Sequence, residues 1–249
     1  YADTAESNMG TLSFENGSKL TSIPAYAFDK CLAFKGSIVI PEGVTSIGQY
    51  AFEKCSGMDG TLSLPSGLET IGNYAFSECS KLTGGITLPD TLTQLGTHTF
   101  NKCSNINGEL VLSKNLKNIP QAAFSNCSSM IGSVDIPEGV QKINANAFQG
   151  CSSLNGTLTI PETVDTIGAY AFDQCSLLTG TLTIPGKVTN VSNYAFDACS
   201  GFDALKLSDS ITTIGNYAFA DCDGFKNDIW ICQRNLHPLE SCASMVVRN

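Results

Sequence analysis

Leu158-Thr159-Ile160-Pro161-Glu162-Thr163-Val164-Asp165-Thr166-Ile167-Gly168-Ala169-Tyr170-Ala171-Phe172-Asp173-Gln174-Cys175-Ser176-Leu177-Leu178-Thr179-Gly180-Thr181 is one copy of a unit that recurs along nearly the whole chain. Phe occurs at 28, 52, 76, 100, 124, 148, 172, 196 and 219, so the step is 24 residues throughout except for a last step of 23. Such self-similarity marks a stacked-repeat architecture, not the one or two globular domains that 249 residues would otherwise suggest. Within the unit, Thr157 to Ile160 alternates polar and apolar residues with β-branching, as a strand with one buried face does, and Pro161 stops it for want of a ladder donor. Val164 and Ile167 are spaced to turn inward again, and Gly168 permits a sharp corner. Ala171, Phe172 and Cys175 then share one face of a short helical turn, with Tyr170 and Asp173 pointing away from it.

Roughly eight side chains per coil point inward, and a lone coil cannot bury them; only stacking does. The expected fold is a repeat solenoid: a right-handed coil with a parallel β-sheet on one face and short helical turns and loops elsewhere. Nine 24-residue coils and a partial tenth strand occupy residues 1–231, making a rod or shallow arc on the order of 45 Å long. Residues 232–249 leave the pattern and read as a C-terminal cap, with Met245, Val246 and Val247 covering the last coil. Some coils depart from the unit: the first has two extra residues between Phe14 and Leu20, Pro24 and Pro120 stand at the glycine corner, and Ser113 replaces the strand-ending proline. Coils one and five are therefore expected to be distorted.

The string Val-x-x-Ile-Gly-x-Tyr-Ala-Phe-x-x-Cys-Ser followed by Leu-x-Ile-Pro resembles the BspA-type leucine-rich repeat of bacterial and protist surface proteins, over essentially residues 8–231. The resemblance implies a leucine-rich-repeat solenoid, export to the cell surface or medium, and adhesion to host or neighbouring cells through their surface proteins or glycans.

Charge and composition narrow the function classes. With 14 basic and 23 acidic residues, a formal charge of −9 would repel a phosphate backbone, so nucleic acid is an improbable partner. The longest apolar run is a few residues, far below the roughly 20 needed to span a bilayer, so no membrane insertion is expected. The opening Tyr1-Ala2-Asp3-Thr4 lacks a basic and apolar leader, which suggests a mature or excised form. No cofactor or metal is expected. The two histidines, His98 and His237, fall in no metalloprotease, nucleophile-elbow or phosphate-loop pattern. Asp221-Cys222-Asp223-Gly224 resembles half a calcium loop but lacks the distal Glu. The chain is read as non-enzymatic and monomeric.

Nine of the eleven cysteines follow the ladder Phe by three residues, from Cys31 to Cys222. Translation-related cysteines have parallel Cβ vectors, unsuited to a disulfide, so they are expected to be reduced and buried. Cys232 and Cys242 lie outside the ladder and are candidates for a clip on the tail. Six tyrosines form another column, Tyr26, Tyr50, Tyr74, Tyr170, Tyr194 and Tyr217, each expected to lay its ring on the coil below with its hydroxyl in water; the alternative is an outward aromatic stripe able to stack on sugar rings. Copies four to six replace this Tyr with His98, Ala122 and Asn146, and removal of three rings would open a recess roughly 14 Å long.

Outward strand positions are mostly Ser and Thr, an open face where solenoids usually bind; Glu109, Val111, Asp135 and Lys206 break its regularity and exclude an ice-ordering lattice. A binding site is therefore expected at the centre, built from His98, Glu109, Val111, Ala122, Asp135 and Asn146, with the carboxylates favouring a basic or hydrogen-bond-donating partner. The competing reading is a spacer that holds another domain away from the cell; an uncapped first coil, whose apolar side chains would need cover, favours it.

Overall fold

The computed structural model describes residues 10–15 and 17–226. They form a parallel-strand solenoid of about eight turns, of leucine-rich-repeat type. The candidate clip at Cys232 and Cys242 and the cap at Met245, Val246 and Val247 lie outside the described residues.

Each coil carries two short strands where the sequence suggested one. The first set runs from Ile38–Val39 through Leu110–Val111 and Val134–Asp135 to Ala204–Lys206, and covers the expected Leu158–Thr159. Its members pair two by two, Ile38 with Leu62, Ile86 with Leu110, Val134 with Leu158, and Leu182 with Leu205. The second set runs from Ser22–Ile23 to Thr213–Ile214, each a polar or Thr residue followed by a buried or half-buried aliphatic one. It forms a sheet of four strands ending at Gln94–Leu95 and a sheet of five beginning at Asn118–Ile119.

Proline causes the gap between those two sheets. In neighbouring coils the backbone N–H of the corner residue bonds to the aliphatic carbonyl of the previous coil, as Gly72 does to Ile47 at 2.8 Å and Gly168 to Ile143 at 2.8 Å. Pro120 has no N–H to offer Leu95. Coil five is thus distorted as expected, and Ser113, fully buried, turns its hydroxyl onto the Leu92 carbonyl at 2.7 Å.

The corner glycines act differently from the expectation. Gly48, Gly72, Gly96 and Gly168 do not adopt left-handed backbone; instead a Cβ on any of them would lie 2.4 Å from a backbone nitrogen of the preceding coil. They are small so that coils can approach. Asn144 and Ser192, in the same column, use their side chains to bond the previous coil's Ile119 and Ile167 carbonyls.

The turn after the corner is not helical, and no helix occurs among the described residues. Tyr170 and Gln174 have φ of 58° and 61°, and the same two columns are left-handed in coil after coil. A right-handed helix cannot contain such residues, and the conformation costs a non-glycine residue about 1–2 kcal/mol. In return, alternate N–H groups face the next coil: Tyr170, Phe172 and Gln174 donate to Asn193, Ala195 and Asp197. Those between them, Ala171, Asp173 and Cys175, close local turns onto Gly168, Tyr170 and Phe172. Asp173 is consequently not outward. It is 3% exposed, and its carboxylate accepts from Gln149 and Gln174.

A two-coil alternation overlies the 24-residue unit. Gly36, Gly84, Gly132 and Gly180 are left-handed, with φ between 79° and 89°, whereas Gly60, Gly108 and Gly156 are not. The N–H of each left-handed glycine bonds to a side-chain oxygen of the next coil, from Asp59, Asn107, Asn155 and Asp203 respectively. Coils between these carry Lys35, Thr83, Ile131 and Thr179 at that position. The chain therefore repeats structurally every second coil.

The core is a continuous column. Phe28 to Phe219 stack ring on ring with centroids 5.0 to 5.6 Å apart, flanked by buried Val and Ile of the strands. Phe124→Ala should destabilise the protein by about 3–5 kcal/mol, measured by urea unfolding, because it removes a fully buried ring from two interfaces at once. An unfolding curve that barely moves would mean that the Phe column does not hold the coils together.

Candidate binding site

The left-handed turn decides what the chain displays at its corner. Because equivalent residues repeat coil by coil, their side chains superpose along the axis, and the tyrosines stack on one another. Tyr26, Tyr50, Tyr74 and His98 form one stack with centroids 4.9, 5.0 and 4.5 Å apart. Tyr170, Tyr194 and Tyr217 form a second, at 4.7 and 4.9 Å.

His98 therefore continues the aromatic column and does not interrupt it, which corrects the expectation of three missing rings. The imidazole lies 7° from the plane of Tyr74. Burial pushes its pKa below the usual histidine value, favouring the neutral ring, and its Nδ1 is buried without a hydrogen-bond partner among the described residues. Only Ala122 and Asn146 break the column. Ala122 is buried, and Asn146 donates from its amide to Gln149 Oε1 at 2.7 Å, while Gln149 donates on to Asp173.

Glu109, Val111 and Asp135 are exposed on the first strand set. Glu109 follows His98 by eleven residues and precedes Ala122 by thirteen, so it is half a coil from both, with the second strand set and the core intervening. The six candidate residues thus belong to two separate places. On the strand face, Val111 and Asp135 flank a position where consecutive strands are unpaired, since Leu110–Val111 pairs backward with Ile86–Thr87 and Val134–Asp135 pairs forward with Leu158–Thr159. The stem of Glu109 reaches across that step and packs beside Gly132, where a Cβ would lie 3.0 Å from Glu109 Cγ.

The ladder cysteines are donors as well as fillers. From Cys55 to Cys222 each thiol points at the carbonyl of the ladder Phe one coil back, as Cys127 does to Phe100 at 3.1 Å and Cys151 to Phe124 at 3.1 Å. Burial pushes the Cys55 and Cys151 thiols up to about 12, in keeping with a protonated sulfur that donates to the carbonyl. Among the described residues all nine are free. A thiolate nucleophile needs an accessible, electropositive setting, the opposite of this one.

Elsewhere, charges pair locally. Lys30, Lys54 and Lys102 lie 3.2, 3.4 and 3.8 Å from Asp29, Glu53 and Glu78. Lys54, Glu78 and Lys102 line a shallow groove of about 660 Å³ together with Ser56, Ser80 and Ser104, and ion pairs whose lysines are this exposed contribute little to stability. Asp197 differs: burial first, and then the neighbouring Asp173 and Asp221, raise its carboxyl above the usual range. Among the described residues no group of three acidic, His or Cys side chains could hold a metal ion.

A family model described as the BspA type leucine rich repeat region matches residues 21–155 and 156–240, in six copies. No curated protein sequence matches the chain. Among solved structures, a leucine rich cell surface protein from Faecalibacterium prausnitzii is 24% identical, with 89% of this chain and 69% of that one covered and a TM-score of 0.62. A leucine-rich repeat protein from Bacteroides ovatus is 22% identical over 83% of this chain and 69% of its own, with a TM-score of 0.51. The pneumococcal vaccine antigen PcpA is 21% identical over 88% of this chain and 63% of its own, with a TM-score of 0.57. At these identities the likeness is one of fold.

Thiol counting tests the cysteine assignment. In a Cys232→Ser, Cys242→Ser background, native protein at pH 8.5 should label Cys31, the half-buried member, and leave the other eight ladder thiols unreacted until denaturant is added. Ready labelling of several of them in the folded state would contradict both their burial and their role as donors.

Proposed function

Because the chain belongs to the BspA-type leucine-rich-repeat family, we propose that it is a surface or secreted binding module, monomeric and without catalysis, that recognises a protein or glycan of a host or neighbouring cell. Two of the solved relatives are named a cell surface protein and a vaccine antigen, which supports an exposed location. The observation that carries the reading is the strand face itself. Its outward residues are mostly small, so a partner's backbone can approach closely, whereas at the centre Glu109, Val111 and Asp135 gather charged and bulkier side chains beside one of the unpaired strand steps that recur every second coil.

An apolar Val111, 51% exposed between two carboxylates, suits a partner that presents a basic or hydrogen-bond-donating rim around an apolar contact. Catalysis has little support in the chemistry available. The buried thiols are donors to carbonyls, and His98 is stacked on Tyr74 with its pKa pushed below the usual histidine value by burial.

A screen of the full chain against extracellular-matrix proteins and cell-surface glycans should yield a ligand. The double change Glu109→Ala with Asp135→Ala should then weaken binding by about tenfold or more, as loss of a charged partner at an interface does, while Thr61→Ala with Thr181→Ala leaves it unchanged. Equal effects from the two pairs would remove the assignment, and a screen without any ligand would favour the spacer.

A further inference from the structure

The strand face is furrowed with a period of two coils. Among the described residues no backbone hydrogen bond joins Leu62–Ser63 to Ile86–Thr87, Leu110–Val111 to Val134–Asp135, or Leu158–Thr159 to Thr181–Thr183, although the steps between these are paired. The inward side chains alternate in the same way. Leu62, Leu110 and Leu158 are 7 to 9% exposed, where Ile38, Ile86, Val134 and Leu182 are at most 1% exposed. Two residues further on, Leu64 and Ile160 are half-buried while Ile40, Leu88, Ile136 and Ile184 are buried.

The left-handed glycines cause the alternation. Gly84, Gly132 and Gly180 turn their N–H groups forward to Asn107, Asn155 and Asp203, and the strands that follow them pair with the next coil and not with the previous one. One end of each step stays shut: Thr83, Ile131 and Thr179 donate their N–H groups to Gly60, Gly108 and Gly156, and Thr61, Glu109 and Thr157 pack against the three left-handed glycines. Past that end the step opens into a shallow furrow. Leu or Ile surfaces on its floor, and the N–H and C=O groups that a paired step would use are left for a partner.

Three such furrows, equivalent and two coils apart, recur at about 9.6 Å along the axis. A ligand lying along the axis fits them all only if its own period matches. Side chains on one face of a β-strand recur at about 6.7 Å, and a helix returns a side chain to the same face after seven residues, about 10.5 Å. A polyproline II chain, with three residues per turn and a 3.1 Å rise, returns one every 9.3 Å or so and drifts by only about 0.6 Å from the first furrow to the third. Its backbone has no internal hydrogen bonds, so its carbonyls are free to accept from the unpaired N–H groups. Sugar rings suit the face less well, because among the described residues no aromatic side chain stands on its outward positions to stack against them. Charge adds the last element: Glu109 and Asp135 flank the middle furrow, with exposed Val111 between them, and call for a basic group there.

We propose that the strand face binds an extended polypeptide in the polyproline II conformation, with an apolar side chain at every third position entering each furrow and a basic residue beside the middle one meeting Glu109 and Asp135. This rests on the strand-face reading above and names its partner class.

The test varies the ligand's period. The full chain is titrated by calorimetry with the capped nonapeptide Leu-Pro-Pro-Leu-Arg-Pro-Leu-Pro-Pro, with a permuted peptide of the same composition whose Leu residues are consecutive, and with linear neutral hexasaccharides of glucose and N-acetylglucosamine. The periodic peptide should bind at least about tenfold more tightly than the permuted one, and also than a version with Ala in place of the outer two Leu. Ser63→Tyr with Thr159→Tyr uses exposed positions of a column that already carries Val39 and Lys206, so this variant should fold; by covering the outer furrows it should weaken the periodic peptide by about tenfold or more. Glu109→Ala with Asp135→Ala should weaken that peptide too, and leave a version with Ala in place of Arg unchanged. Equal binding of the periodic and permuted peptides, no binding of either, or binding of a saccharide in their place would overturn the proposal, and the peptide comparison decides it whether or not the Tyr variant folds. If no peptide binds while another ligand from the matrix screen depends on Glu109 and Asp135, the strand-face reading stands and the polyproline II partner falls alone.

Discussion

Phe124 touches no ring of its own kind within its coil; it finds Phe100 at 5.6 Å on one side and Phe148 at 5.4 Å on the other. The same is true of nearly every feature that fixes this chain. The left-handed turns direct alternate N–H groups to the next coil, the cysteine thiols bond a carbonyl one coil back, and corner glycines admit the neighbour's backbone to within a distance that no Cβ would allow. Equivalent atoms one repeat apart are the partners. Stability is then a sum of interfaces along a line, and the strain of a left-handed residue is tolerable because both neighbours repeat it.

This constraint explains what the sequence made legible. The 24-residue period and the inward Phe, Cys, Val and Ile positions follow from burial, which a single sequence reports well. The second strand at Thr166–Ile167 does not stand out, because its flanking residues do not alternate as Thr157 to Ile160 do: Val164 and Ile167 are three apart and the corner Gly168 follows at once. Ala171, Phe172 and Cys175 have the spacing of a helical face, yet Tyr170 and Gln174 are left-handed. Their conformation is imposed by the adjacent coils, and side-chain chemistry alone does not announce it. The two-coil alternation was present as Asp59, Asn107, Asn155 and Asp203, visible only once the carbonyl-bearing side chains are paired with Gly36, Gly84, Gly132 and Gly180.

The candidate site was legible as a defect and not as a geometry. Loss of Tyr at 98, 122 and 146 and the charges at 109 and 135 mark the middle of the array, but the linear sequence hides that the two groups lie half a coil apart. It also hides that a histidine can take a tyrosine's place in a stack while alanine and asparagine cannot. In a solenoid, regular positions are committed to holding the next coil. Departures from the residue pattern are where a surface acquires individuality, and here they fall at Glu109, Val111 and Asp135 on the strand face and at Ala122 and Asn146 in the tyrosine column.

The central claim is that coils are stabilised by their neighbours and not by themselves. Excision of residues 133–180 removes two coils while joining Gly132 to Thr181 in the register that Gly180 now provides, so the alternation is kept. Urea unfolding of the full chain and of this shortened chain measures the claim most directly. The account predicts that the shortened protein folds with a lower unfolding free energy and a smaller m-value, each reduced in proportion to the interfaces removed. An unchanged unfolding free energy after the loss of two coils would contradict it.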